Sequence, residues 1–207
     1  MQRCATFSQS SLSSYGYQIA TTVYKRNIKM EDANPSQPAA SQPAAAQVVL
    51  APSRPKIAGK RSVFLAGTTS RTSGPDWRET LIDALSCLPV TIFNPLRPDW
   101  DSSWREDITF GPFREQVEWE LDMQERADVV VVYYGAGTDA PISLLELGLC
   151  ARSGKAIVAC HQHYRKRGNV HIVSQRLGIE FLDASGDLAG AVIGRLRQML
   201  DQEQEGA

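Results

Sequence analysis

The sequence predicts an α/β domain, a flavodoxin-like doubly wound parallel sheet of five strands with helices on both faces. The run at 127–134 is continuously apolar and β-branched, which is typical of a central parallel strand covered on both sides. From residue 61 onward, short apolar runs alternate with helical patterns in the βαβ manner. Five strands in about 145 residues favour the order 2-1-3-4-5, whose crevice lies between strands one and three.

Each element has its own sequence signal. Pro75 and the acidic residues after it open the first helix, and Gly154 closes the third. Phe113, Val117 and Leu121 share one face of the second helix. We therefore predict strands at 62–67, 90–93, 128–134, 156–160 and 179–182, and helices at 75–86, 112–126, 142–153, 170–177 and 188–202.

Residues 1–58 lack sustained periodicity, and the Pro, Ala, Ser and Gln content of 34–47 is typical of a flexible linker. We expect 1–58 to be disordered or loosely attached and 59–207 to be the folded domain. The first 29 residues contain basic, Ser and Thr residues and no acidic one. This composition is compatible with a mitochondrial transit peptide. The alternatives are a plain tail, or a start at Met30, in a cytoplasmic protein.

Composition excludes several classes of function. A net charge of −1 and a pI near 6.3 provide no basic field for a nucleic acid polymer. The four cysteines form no CxxC pair, which argues against a zinc site and a disulfide framework. No apolar stretch approaches the roughly 18 residues that span a bilayer. We therefore expect a small-molecule ligand, no membrane, and no metal or organic cofactor.

The segment 138–149 is the strongest functional candidate, because it connects a predicted buried strand to a helix and places Glu146 near the start of that helix. A carboxylate beside the carboxyl edge of an open sheet is a candidate nucleophile. The alternative is structural, since Ser143-x-x-Glu146 fits a capping box. The two interpretations are compatible, because the helix dipole favours the ionised form of an acid in the first turn.

The loop 66–70 should meet the loop after residue 134 across the same crevice. Its glycine, Gly67, and its hydroxyls, beginning with Thr68, could bind a phosphate or a sugar hydroxyl. The loop matches neither a Walker motif nor GxGxxG, so an ordinary strand-to-helix turn is the alternative.

Four segments together resemble the nucleoside 2-deoxyribosyltransferase family, which includes deoxynucleoside monophosphate N-glycosidases. The resemblance covers roughly residues 60 to 183. It is carried by 63–67, 94–104, 119–121 with 127–128, and 142–148. It implies a catalytic domain that transfers 2-deoxyribose with retention, through attack of a glutamate on C1′.

The resemblance assigns the two catalytic carboxylates. Glu146 matches the nucleophile. The acid/base of the family is usually an aspartate eight residues before the acidic residue that opens the third strand, and counting back from Asp128 gives Glu120. The alternative for Glu120 is a solvated charge on a helix.

The insert 94–109 is the predicted binding wall, because two Trp, two Asp and one Arg occur within eleven residues. Trp100 or Trp104 would stack on a base and Asp101 would bind a base or sugar hydroxyl. Asn94 would lie at the end of strand two. Outside the insert, Asp139 is a candidate for the base or sugar, and the resemblance implies that a neighbouring subunit contributes Asn169. The full set of predicted binding residues is Gly67, Thr68, Asn94, Arg97, Trp100, Asp101, Trp104, Asp139 and Asn169.

Three functions remain open at this stage. The first is a nucleoside 2-deoxyribosyltransferase, a homo-oligomer acting on deoxynucleosides and nucleobases. The second is a hydrolase of the same bond, in deoxynucleosides or their 5′-monophosphates. The third is a nucleotide-binding module without catalysis, since fold alone does not define function.

Overall fold

The computed structural model describes residues 45–69 and 75–205. Within these ranges the chain alternates strands and helices as the sequence predicts. The strands are β1 (Gln47–Leu50), β2 (Arg61–Gly67), β3 (Val90–Asn94), β4 (Val129–Tyr134), β5 (Ala156–Cys160) and β6 (Glu180–Asp183). The helices are α1 (Trp77–Leu85), α2 (Gly111–Arg126), α3 (Pro141–Cys150), α4 (Arg167–Leu177) and α5 (Leu188–Glu205).

The strands form one parallel sheet in the order β1-β3-β2-β4-β5-β6. The five predicted strands occupy the predicted order, with β2 and β4 paired at the switch point. The flavodoxin-like α/β class is therefore confirmed, although the sheet has six strands and not five.

The sixth strand, β1, corrects the prediction for the end of the N-terminal segment. Gln47 to Leu50 pair with Thr91 to Asn94 of β3, and Val49 is buried in the core. Trp119 donates its indole N–H to the Ser53 carbonyl at 2.8 Å. Residues 45–58 are thus part of the folded unit, because β1 pairs with the edge of β3 and the segment after β1 bonds to Trp119 and to the side chain of Gln47. The proposed transit peptide and most of the proposed linker lie outside the described residues.

Side chains of the central strands alternate between two separate cores. Phe64 and Ala66 of β2 face the core under α2, α3 and α4, whereas Val63 and Leu65 face the core under α1 and α5. This alternation explains why β4 is apolar along its whole length. It also places α2 and α3 on the same face of the sheet.

No helix in the described ranges combines the length and the apolarity required to cross a bilayer.

Candidate active site

The ends of β2 and β4 approach each other closely at the carboxyl edge of the sheet. Gly67 has a φ of 137°, and a Cβ built on it would lie 2.4 Å from the Tyr133 carbonyl oxygen. A side chain therefore cannot be accommodated there. Thr68 Oγ1 accepts a hydrogen bond from the Gly135 amide at 3.0 Å and lies 3.3 Å from Thr138 Oγ1. The loops after β2 and β4 meet as predicted, but the Thr68 hydroxyl holds them together and is not a free ligand group.

Helix α1 places a buried arginine beneath this junction. Arg78 is 6 % exposed and donates Nη1–H to the Thr68 carbonyl at 3.1 Å and Nη2–H to the Gly67 carbonyl at 2.7 Å. Trp77 donates its indole N–H to the same Thr68 carbonyl and stacks on Tyr133. Neither Trp77 nor Arg78 was predicted as a site residue from the sequence, although a Trp-Arg pair at a helix start was a visible signal.

Helix α3 carries Glu146 in its second turn and not in its first. The helix begins at Pro141, with Ala140 as the N-cap in the left-handed region (φ 39°) and no side-chain cap. The interpretation of Ser143 and Glu146 as a capping box is therefore wrong. Because the effect of the helix dipole fades within the first turn, it does little for the ionisation of Glu146.

Glu146 and Glu120 line one groove, formed where α2 and α3 lie side by side. Each helix contributes one carboxylate and a set of mostly apolar side chains. The lining residues are Val117, Glu120, Leu121 and Gln124 from α2, and Ile142, Leu145, Glu146 and Leu149 from α3.

The two carboxyl groups resist ionisation. Burial is the main cause of a rise in the pKa of Glu146 to about 8, and the charge of Glu120 adds to it. Burial likewise raises the pKa of Glu120. Arg78 favours the ionised form of both groups. Two carboxyls in one groove with raised pKa values are typical of a site that handles protons.

Two buried glutamines of α2 support these glutamates. Gln116 donates from Nε2 to Glu120 Oε1 at 2.8 Å and to the Pro95 carbonyl at 2.9 Å. Gln124 donates from Nε2 to the main-chain carbonyl of Glu146 at 2.9 Å. Sequence reasoning missed both, but the i, i+4 spacing of Gln116 and Glu120 was a signal that could have found the first.

The polar residues of the insert are engaged mainly with one another. Arg97 forms ion pairs with Asp99 at 3.0 Å and Glu115 at 3.0 Å, and its guanidinium lies over the ring of Trp104. Asp101 Oδ1 accepts the Ser103 amide at 2.8 Å, which makes it a turn former.

The aromatic rings of the insert form a small cluster. Trp104 contacts Trp100 and Phe110 at centroid distances of 5.1 and 5.8 Å. Trp100 is 44 % exposed, so it is the more accessible of the two predicted stacking rings.

The remaining predicted residues lie around the rim. Asn94 is buried at the end of β3, and its Oδ1 accepts the Leu96 amide at 3.1 Å. Asp139 is exposed and pairs with Arg165 at 3.2 Å. Asn169 is exposed in the first turn of α4, which begins at Arg167. Of the predicted set, only Glu120 and Glu146 line the groove described here.

Over the described residues, no group of three or more His, Cys, Asp or Glu side chains is arranged to hold a metal ion.

The family model for nucleoside 2-deoxyribosyltransferase-like proteins matches residues 60–164, a span that contains both glutamates. The chain therefore belongs to this nucleoside 2-deoxyribosyltransferase-like family. Membership suggests an enzyme that transfers or hydrolyses a glycosyl group. No curated protein matches the chain.

Proposed function

We propose that this protein is a nucleoside 2-deoxyribosyltransferase that uses Glu146 as nucleophile and Glu120 as acid/base. The observation that carries the proposal is the groove between α2 and α3, where these two carboxyls face one cavity and both have raised pKa values. Family membership supports a reaction at a glycosidic bond, and the groove holds two carboxyl groups of the kind that such a reaction requires.

The reaction consists of two displacements at C1′ of the sugar. In the first, the Glu146 carboxylate forms an ester bond to C1′ while the N-glycosidic bond breaks, and Glu120 gives its proton to the departing base. In the second, Glu120 accepts a proton from the N–H of an incoming base. That base then bonds to C1′, and the ester breaks to restore the Glu146 carboxylate. The covalent ester divides one difficult displacement into two easier ones.

The first displacement needs one proton on the pair of glutamates, and that proton must lie on Glu120. The pKa of Glu146, raised to about 8, keeps a proton on the pair near neutral pH in the empty groove. That proton must move to Glu120 as the substrate binds. Arg78 supports this transfer, because its positive charge interacts more strongly with Glu146 than with Glu120 and so favours the Glu146 carboxylate that remains.

Binding surfaces for the substrate lie on either side of the pair. The apolar side chains of the groove suit the faces of a sugar and a base. The backbone at Gly67 and Thr68 and the exposed ring of Trp100 are the proposed walls beyond it. Asp139 remains a proposed polar contact on the loop that leads into α3.

A second copy of the chain is the proposed cover of the groove. Leu121, Ile142, Leu145 and Leu149 are 46 %, 59 %, 59 % and 57 % exposed, and the last three lie at i, i+3 and i+7 on α3. An apolar stripe of this kind beside a reaction centre is typical of an interface. The exposed Asn169 is the proposed contribution from the neighbouring subunit.

Sedimentation of Leu145→Glu tests whether a second copy of the chain covers the groove, with Ile108→Glu as a control. Ile108 is 76 % exposed but lies in the insert and does not line the groove. We expect Leu145→Glu to sediment as a smaller species and Ile108→Glu to match the native protein. Identical sedimentation of all three proteins would remove this part of the proposal.

Hydrolysis of the same bond is the second candidate, because family membership suggests an enzyme that either transfers or hydrolyses a glycosyl group. In hydrolysis a water molecule takes the place of the incoming base. A hydrolase of 5′-monophosphates would need a phosphate cradle, which we propose is formed by Thr68, Thr69, Ser70 and Arg71; the last two lie outside the described residues.

Chromatography of reaction products separates these functions. The protein is incubated with deoxyinosine, with and without free adenine. We expect deoxyadenosine and hypoxanthine only when adenine is present. Hypoxanthine with free deoxyribose would instead establish hydrolysis, and deoxynucleoside 5′-monophosphates would then be compared. If none of these substrates changed, the assignment of an enzyme would be wrong.

A further inference from the structure

The side chain of Gln116 is buried next to Glu120 and holds one of its two carboxyl oxygens. It is 4 % exposed and lies one turn before Glu120 on α2. Its Nε2 group donates both of its hydrogens, one to Glu120 Oε1 at 2.8 Å and one to the Pro95 carbonyl at 2.9 Å. Gln116 therefore ties Glu120 to the first residues of the insert.

The orientation of the Gln116 amide is determined by these two acceptors. A flipped amide would place Oε1 against the Pro95 carbonyl oxygen, which cannot donate a hydrogen bond. In the observed orientation Gln116 Oε1 is buried and has no hydrogen-bond partner. A buried acceptor left unpaired is costly, so an unpaired atom beside an ionisable group calls for a functional explanation.

We propose that Gln116 is a positioning residue that occupies Glu120 Oε1 as a donor and so leaves Oε2 as the oxygen that carries the acid/base proton. This inference rests on the proposed function, because it specifies the acid/base step of that reaction. An amide N–H favours a carboxylate acceptor and opposes a proton on the same oxygen. The proton that reaches Glu120 during the reaction is thereby directed to a single atom.

The other charged groups that act on Glu120 come from two neighbouring helices. Arg78 of α1 favours its ionised form, and Glu146 of α3 carries a charge of the same sign. Since Glu120 and Glu146 influence each other, their titrations must be separated before the effect of Gln116 can be measured.

The test is a carbon-13 NMR titration of the Glu120 carboxyl in a Glu146→Gln background. Gln116→Met is added to this background, because methionine keeps the volume and the helix propensity while removing the donor. We expect the pKa of Glu120 to rise by about 1 pH unit, since hydrogen bonds to charged groups are among the stronger ones. An unchanged or lowered pKa would overturn the proposal.

Gln124→Met in the same background is the matched control. Gln124 lies eight residues later on the same helix and is 6 % exposed, but it donates to a main-chain carbonyl and not to a carboxylate. We expect Gln124→Met to leave the pKa of Glu120 unchanged. An equal shift in both variants would show that any disturbance of α2 moves the titration, and the proposal would be wrong.

A second variant and a second readout keep the test decisive. If Gln116→Met does not fold, Gln116→Asn withdraws the amide by one methylene and should raise the same pKa.

In otherwise native protein, Gln116→Met should lower kcat about tenfold, a fraction of the usual contribution of acid/base catalysis, with little change in KM. Its kcat/KM profile should extend to higher pH, because the pair retains its last proton longer. A lower kcat with an unmoved profile would indicate a merely structural role and would contradict the proposal.

These two readouts also separate this inference from the proposed function. The titration of Glu120 requires no turnover, so it decides the role of Gln116 as a donor even if deoxynucleosides are not substrates. Absence of turnover in the native protein would count against the transferase alone.

Discussion

The carboxylates of the insert and those of the groove behave in opposite ways. A hydrogen bond from Arg97 lowers the pKa of Asp99, one from the Ser103 backbone lowers that of Asp101, and one from Thr109 lowers that of Asp107. In the groove, burial raises the pKa of Glu120 and of Glu146. The insert has the composition expected of a binding site, but its three aspartates and Arg97 already have hydrogen-bond partners. The groove has an unremarkable composition, but its acids are poorly solvated.

This contrast shows that a region rich in polar residues is not necessarily a region whose groups can react. Exposed acids with donors already in place gain little from a ligand. Buried acids with raised pKa values can exchange protons near neutral pH, which is what catalysis at a glycosidic bond needs. The insert is accordingly described as a folded wall held by Arg97, and the groove is the proposed reaction centre.

The largest expected effect is on turnover in Glu146→Gln. Loss of the nucleophile should lower kcat by about a thousandfold or more, while circular dichroism remains native. Asp107→Asn is the control from the insert, and it should retain activity within about threefold because Asp107 only caps the turn at Thr109. Comparable losses of kcat in the two variants would contradict the proposed difference between the insert and the groove.

Glu120→Gln should have the next largest effect on turnover. Removing the acid/base should lower kcat by about a hundredfold or more for a natural base. A substrate whose leaving group needs no proton should restore the first displacement, which can be followed as a burst of released base. If the good leaving group brought no recovery, Glu120 would not be the acid.

The stability of the native protein should depend on pH through Glu146. Its pKa in the fold is about 8, above the ordinary value of about 4.3, so the proton is bound more tightly in the folded state. The associated stability is complete below about pH 4 and is lost as pH rises through about 8. Urea unfolding should therefore show Glu146→Gln gaining roughly 4 kcal/mol on the native protein between pH 5 and pH 9. Parallel curves for the two proteins would contradict the raised pKa.

Substitution of Arg97 should have the smallest of these effects, and it tests whether the insert has a structural role or takes part in the reaction. Arg97→Met removes the cation that pairs with Asp99 and Glu115 and lies over Trp104. We expect a loss of about 1 to 2 kcal/mol in the free energy of unfolding, since the carboxylate partners are exposed and the guanidinium side chain is not. The pH optimum should not move. An altered optimum would place Arg97 within the proton chemistry after all.

The sequence predicted the fold well because the signals of its elements are local. The run of valines in β4, the alternation from β2 onward and the glycine at position 67 each follow from neighbouring residues. The prediction was wrong for β1, because a strand of four residues at the edge of a sheet depends on the partner strand and carries almost no periodicity of its own. The capping box was wrong for a similar reason, since Ala140 and Pro141 set the helix start and Ser143 lies within the helix.

The sequence by itself determined the class of sheet and its strand order, because these depend on period and spacing. Through its family resemblance it also indicated the two proposed catalytic acids. Only the tertiary structure decided which polar residues remain free to react. Thr68, Asp101 and Arg97 have the chemistry of ligand groups, but each is engaged by a neighbour within the fold. The raised pKa values of Glu120 and Glu146 arise from burial between helices that are separate in sequence, and the charge of Arg78 from a third helix opposes the rise. Burial and partner geometry exist only after packing, and they convert two ordinary helix glutamates into a candidate reaction centre.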